Sequence, residues 1–96
     1  MPAATRLNDN DTGHDNCSPT TLATASPNVF INGRGAGRLD DSYVAHGCKV
    51  HPSHSGVIAA GSSTVFINGR PAGRIGDPIS CGGSVAEGSG DVFIGG

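Results

Sequence analysis

Large apolar side chains are scarce in this sequence. Its 96 residues include no Trp, one Tyr and three Phe, against 16 Gly and 6 Pro. Each glycine adds backbone entropy that folding must overcome, and it supplies no side chain to bury. A single domain of this length buries only about 60–65% of the surface that its unfolded chain exposes. A metal, a disulfide or a partner is therefore expected to support the core.

Other absences remove whole classes of function. The six Lys and Arg residues are spread along a chain of net charge −2, so no basic patch indicates nucleic-acid binding. No apolar run is long enough to span a bilayer. The segment from Met1 to Asn10 is polar, so a secretory signal is not expected there. Helical periodicity is also missing, because Gly or Pro interrupts nearly every stretch.

An internal repeat dominates what is present. Residues 26–41 (SPNVFINGRGAGRLDD) match residues 62–77 (SSTVFINGRPAGRIGD) at eleven of sixteen positions. Residues 89–96 (SGDVFIGG) form a truncated third copy. We therefore expect one domain over residues 1–96, with units at about 22–41, 57–77 and 84–96.

Each unit has the chemistry of a β-hairpin. Val-Phe-Ile favours a strand, and Asn-Gly at 32–33 and 68–69 favours a type I′ turn because both residue types tolerate positive φ. The sequence thus predicts an all-β fold. Three hairpins about a common axis would give a closed, pseudo-threefold object, and the alternative is a short solenoid whose units stack.

The inserts, one ahead of the first unit and two between units, carry every histidine and cysteine. The residues are His14, Cys17, His46, Cys48, His51, His54 and Cys81. A tetrahedral metal site needs four such ligands, although the spacing is not that of a zinc finger. An odd number of cysteines without a signal peptide favours a reduced compartment or metal ligation over a disulfide framework.

Several elements together resemble the PAAR-repeat family of spike-tip proteins, found in type VI secretion systems and contractile phage tails. They are the VFINGR-x-A-G-R-x-x-D units, TGHDNC, HGC…HPSHSG and GDPISCGG. The resemblance covers nearly the whole chain. It implies a small pyramidal or conical fold of hairpin repeats with a metal-stapled apex.

The resemblance also implies the ligands of one structural zinc. Matched by position, these are His14, His46, His54 and Cys81, with His51 as the alternative to His54. Iron is the less favoured metal. Cys17 and Cys48 match no ligand and are expected to be packed thiols, with a mutual disulfide as the alternative.

Two departures from the family pattern affect the units. Gly37 and Gly73 stand where the family motif Pro-Ala-Ala-Arg has its second Ala, which is expected to loosen the strand slightly. The first unit has Asp40-Asp41 where the second unit has Gly76-Asp77, so the turn of the first unit is expected to differ. Neither change touches the ligands.

The implied function is structural rather than enzymatic. The expected partner is a trimeric β-helical spike of the VgrG type, with one cap per trimer, and effector proteins are further expected partners. A target membrane would be pierced but not stably bound. The protein would be cytoplasmic until ejected on the spike, or would sit at a virion tail tip.

Two other functions compete with this reading. One is a small zinc-dependent hydrolase, which needs an open coordination position and a cleft. A fourth ligand, Cys81, would close that position. The other is a redox protein, but no Cys-x-x-Cys pair is present.

Overall fold

Two short β-hairpins are the regular elements of the computed structural model, which describes residues 1–13, 17–45 and 55–96. Strand β1 (Phe30–Ile31) pairs with β2 (Arg34–Gly35), and β3 (Phe66–Ile67) pairs with β4 (Arg70–Pro71), both antiparallel. Both Asn residues of the two turns have φ of 54° and both Gly residues have φ of 77°. These values fit the predicted type I′ turns. The predicted all-β class is confirmed.

Isolated β-bridges join the rest of the chain. Ten such bridges form among the described residues, and several link positions far apart in sequence, including Arg6 to Ala36 and Arg38 to Ala72. No helix forms in the described ranges, and accordingly none there is long and apolar enough to cross a membrane.

Three backbone hydrogen bonds close the units into a ring. Gly37 N donates to Thr5 O at 2.9 Å, and Gly73 N donates to Gly37 O at 2.9 Å. Thr5 N then donates to Gly73 O at 3.1 Å, which completes the circle. A solenoid would leave its first and last units unbonded to each other. The alternative of stacked units is therefore excluded in favour of a closed arrangement.

The amino-terminal segment supplies the second half of the third unit. Ala4 N donates to Val92 O at 3.0 Å, and Ile94 N donates to Pro2 O at 2.9 Å. Ala36 N and Ala72 N make the same bond as Ala4 within the first two units. Residues 2–9 (PAATRLND) thus complete the unit that appeared truncated from the sequence.

The core consists of two small clusters. The first is built from three alanines and three isoleucines in equivalent positions: Ala4, Ala36, Ala72, Ile31, Ile67 and Ile94. The second contains side chains from the segments before and after the hairpins: Leu22, Tyr43, Ile58, Ile79 and Val85. The buried apolar side chains of the described residues are therefore concentrated in these two clusters.

The glycines that replace alanine in the family motif are required by packing. A Cβ on Gly37 would lie 2.7 Å from Thr5 Cγ2 and 2.9 Å from Leu22 Cδ2. A Cβ on Gly73 would lie 3.1 Å from the same Thr5 methyl. The Thr5 methyl therefore fills the centre, and a side chain at either glycine would crowd it. The expected slight loosening of the strand stays a prediction.

Each unit ends in the same Arg-Asp turn. In Arg6–Asp9, Arg38–Asp41 and Arg74–Asp77, the Asp amide donates to the Arg carbonyl at 3.0 Å. The third residue of each turn is left-handed, with φ of 71° at Asp40 and 93° at Gly76. The expectation that the first unit has a different turn is therefore wrong, because Asp tolerates this conformation.

Candidate metal centre

Cys81 is the predicted ligand that lies within the described ranges. Its thiol is free and half-buried, and it packs against the second core cluster. A Cβ added to Gly56 would lie 2.6 Å from Cys81 Sγ and 2.7 Å from Ile79 Cγ2. Gly56 therefore allows the backbone to approach the sulfur, and any side chain there would displace it.

Described residues near two predicted histidines are linked beside Cys81. Gly56, which contacts Cys81, follows His54 by two residues. Its carbonyl accepts a hydrogen bond from the amide of Tyr43, three residues before His46, at 2.9 Å. The backbone on both sides of the second insert is thus anchored beside the thiol.

The residue directly before His14 reaches the same region from the first insert. A Cβ on Gly83 would lie 2.6 Å from Gly13 O, so the two backbones are in close contact. Gly83 is two residues after Cys81. Described segments adjoining all four predicted ligands are therefore linked by backbone contacts.

Asp11 fixes the described ends of the first insert, a role that the sequence analysis did not assign. Its side chain is 3% exposed. The Oδ1 atom accepts hydrogen bonds from Gly13 N at 2.9 Å and Thr20 N at 3.0 Å. An acidic residue shortly before a candidate histidine is the signal that could have indicated such a supporting position.

Burial raises the pKa of the Cys81 thiol, and the negative charge of Asp11 acts in the same direction. A thiol in these surroundings is not poised as a nucleophile, because a reactive cysteine needs a lowered pKa. A bound metal would lower the pKa of this thiol instead, since its charge stabilises the thiolate.

Comparison with known families identifies the repeat. Residues 51–96 match the family model described as PAAR motif. This part of the chain carries the PAAR motif. The matched range contains β3, β4 and Cys81, and the first unit of this PAAR protein repeats the same hairpin and the same Arg-Asp turn. The resemblance found in the sequence is thus confirmed. No curated protein matches the chain.

The predicted histidine ligands of the PAAR protein lie outside the described residues. These are His14, His46 and His54, together with the alternative His51. Within residues 1–13, 17–45 and 55–96 no group of three or more His, Cys, Asp or Glu side chains is placed to hold a metal. The ligand set therefore stays a prediction.

The cysteines of the PAAR protein differ in state. Cys17 is buried and disulfide-bonded, whereas Cys81 is free. The expectation of a packed thiol at Cys17 is therefore wrong. Cys48 lies outside the described residues. The free state of Cys81 is the one that a metal ligand requires.

Three exposed phenylalanines form a second feature of the PAAR protein. Phe30, Phe66 and Phe93 occupy equivalent positions of the three units and are 60%, 56% and 50% exposed. The preceding valines Val65 and Val92 pack partly against the first core cluster. An aromatic side chain left in solvent at the same position three times indicates a surface for association.

Proposed function

We propose that this protein caps the end of a trimeric β-helical spike, one chain per trimer. The observation that carries the proposal is the closed ring of three equivalent units, each with an exposed phenylalanine. A threefold partner presents the same surface three times, and a single chain with three equivalent positions can meet all three at once. The PAAR motif supports a spike-tip role in the same sense.

The phenylalanines supply the apolar contact for this docking. Phe30, Phe66 and Phe93 each leave half or more of the side chain in solvent, so covering them would remove apolar surface from water. Aromatic side chains are frequent hot spots at interfaces. The hairpins that carry them also offer strand edges, with which the last strands of the spike could pair.

We propose that one structural zinc holds the opposite end of the molecule. Its ligands would be His14, His46, His54 and Cys81, with His51 as the alternative to His54. The contacts of Gly13 and Gly56 with the Cys81 turn support this set. The metal would join inserts that the thin core cannot order, giving a pyramidal fold that narrows to a stapled apex.

A structural role fits this site better than hydrolysis. Four protein ligands leave no coordination position for an activated water. The family is one of structural spike tips, and a tip of this kind would be ejected with its spike and pass through a target membrane without staying bound. Before ejection the protein would be cytoplasmic, or part of a virion tail, and effector proteins would be further partners.

Replacing the three phenylalanines is expected to weaken spike binding without unfolding the protein. The variant Phe30→Ser/Phe66→Ser/Phe93→Ser should bind a purified spike trimer roughly a hundredfold or more weakly, since buried aromatic anchors contribute about 1–2 kcal/mol or more each. The melting temperature should change little, because these side chains are largely exposed. Calorimetric titration and thermal unfolding measure the two quantities.

Val44→Ser is the matched control, because Val44 is 49% exposed and lies beside the second insert, away from the hairpins. It should bind the spike like the natural protein. Equal affinity of the triple variant and the natural protein would contradict docking through the phenylalanines.

A further inference from the structure

Arg34 reaches from the first unit onto the Arg-Asp turn of the third. Its Nε donates to Leu7 O at 2.9 Å, and its Nη2 donates to Asp9 Oδ1 at 2.7 Å. Asp9 already receives a bidentate pair from Arg6. One carboxylate thus binds two guanidinium groups, one from its own turn and one from the neighbouring unit.

Arg70 makes the same two contacts one unit further round the ring. Its Nε donates to Leu39 O at 2.8 Å, and its Nη2 donates to Asp41 Oδ1 at 3.1 Å. Arg38 supplies the pair from within the turn. The chain therefore contains two copies of a site for an arginine side chain, each made of one carbonyl and one carboxylate oxygen.

The third copy of this site has proline where the others have arginine. Pro2 pairs with Ile94 as Arg34 pairs with Ile31, so it occupies the equivalent position. By analogy with the other two copies, the acceptor oxygens of the third site are Ile75 O and Asp77 Oδ1. Among the described residues, the donors to the Asp77 carboxylate all belong to Arg74.

The exposure of this third turn reflects the substitution. The Asp77 side chain is 10% exposed, against 3% for Asp9 and 2% for Asp41. Ile75 is 39% exposed, more than its equivalents Leu7 and Leu39, which are of intermediate exposure. The surface around this third turn therefore presents the apolar side chain of Ile75 and two acceptor oxygens.

We propose that the surface formed by Ile75 and Asp77 binds an arginine side chain of a protein partner. The fork of the guanidinium matches the two acceptors, as the two occupied copies demonstrate, and the stem would cover Ile75. Lysine is a poorer fit because its ammonium is a single point that cannot span both oxygens. This proposal does not depend on the spike, so the two can fail separately.

Nuclear magnetic resonance with blocked arginine as the probe tests the site directly. Titrating N-acetyl-argininamide into the full chain should give saturable shifts at the amides of Ile75, Gly76 and Asp77. N-acetyl-lysinamide should give no saturable shift there. Unchanged Ile75–Asp77 signals throughout the arginine titration would overturn the proposal.

Two variants test the same site, one by filling it and the other by opening an occupied copy. Pro2→Arg should fill the third site from within, abolish the arginine-induced shifts and raise the melting temperature above that of Pro2→Gln. Arg34→Gln should open the equivalent first site, so that blocked arginine now also shifts Leu7 and Asp9. Binding that persists unchanged in Pro2→Arg would overturn the proposal.

Discussion

Removing the proposed zinc is expected to unfold most of the protein at moderate temperature. Structural zinc sites contribute on the order of 10 kcal/mol or more of apparent binding free energy, which becomes folding free energy when the unfolded chain has no site. Small domains have a total free energy of unfolding of about 5–15 kcal/mol. Metal analysis should find close to one zinc per chain, and thermal unfolding with and without chelator should show a large loss.

Two histidine variants make this experiment specific to the ligand set. His54→Ala should lose the metal and the associated stability, whereas His51→Ala should keep both. The reverse result would move the third ligand to His51. Purified protein that contains no metal, with a melting temperature unaffected by chelator, would contradict the stapled apex.

Asp41→Asn is expected to be the most damaging change within the described framework. The carboxylate accepts bonds from Arg38 N, Nε and Nη2 and from Arg70 Nη2, and Arg38 is only 7% exposed. Hydrogen bonding to this carboxylate raises the pKa of Arg38, so the buried guanidinium stays charged. Removing one partner of a buried ion pair costs about 3–5 kcal/mol. Thermal unfolding should therefore show a loss of roughly 12 °C or more.

The adjacent Asp40→Asn is the matched control. It changes the same charge at an exposed position, and asparagine already occupies the equivalent left-handed position at Asn8. Its effect on the free energy of unfolding should stay within about 0.5 kcal/mol. Equal effects of the two variants would contradict the role of the buried Arg-Asp turn in joining the units.

The hairpins were predictable because their signals are local. Asn32-Gly33 and Asn68-Gly69 dictate the turns through their positive φ values, whatever surrounds them. The same holds for the all-β class, since no segment has helical periodicity. The repeat in the sequence also placed equivalent residues in equivalent positions.

The closure of the ring was not predictable from the repeat. The segment that completes the third unit, residues 2–9, has only scattered identities with the equivalent segments of the first two units. It also lies at the opposite end of the chain from residues 89–96. Its role appears only in backbone hydrogen bonds such as Ala4 N to Val92 O. The requirement for glycine at 37 likewise depends on the Thr5 methyl, a contact between distant positions.

The candidate metal site was likewise predictable only in part. Family resemblance supplied His14, His46, His54 and Cys81, because ligand spacing in this fold follows no zinc-finger pattern. Asp11 was missed because its importance lies in the two amides that it binds, Gly13 N and Thr20 N. Backbone contacts of this kind leave little trace in a single sequence.

The mass of the complex with a cognate trimeric spike tests the central claim most directly. Three equivalent units in one closed chain should occupy a threefold end once, so native mass spectrometry should find one copy of this protein per spike trimer. Three copies per trimer, or no complex at all, would contradict the account.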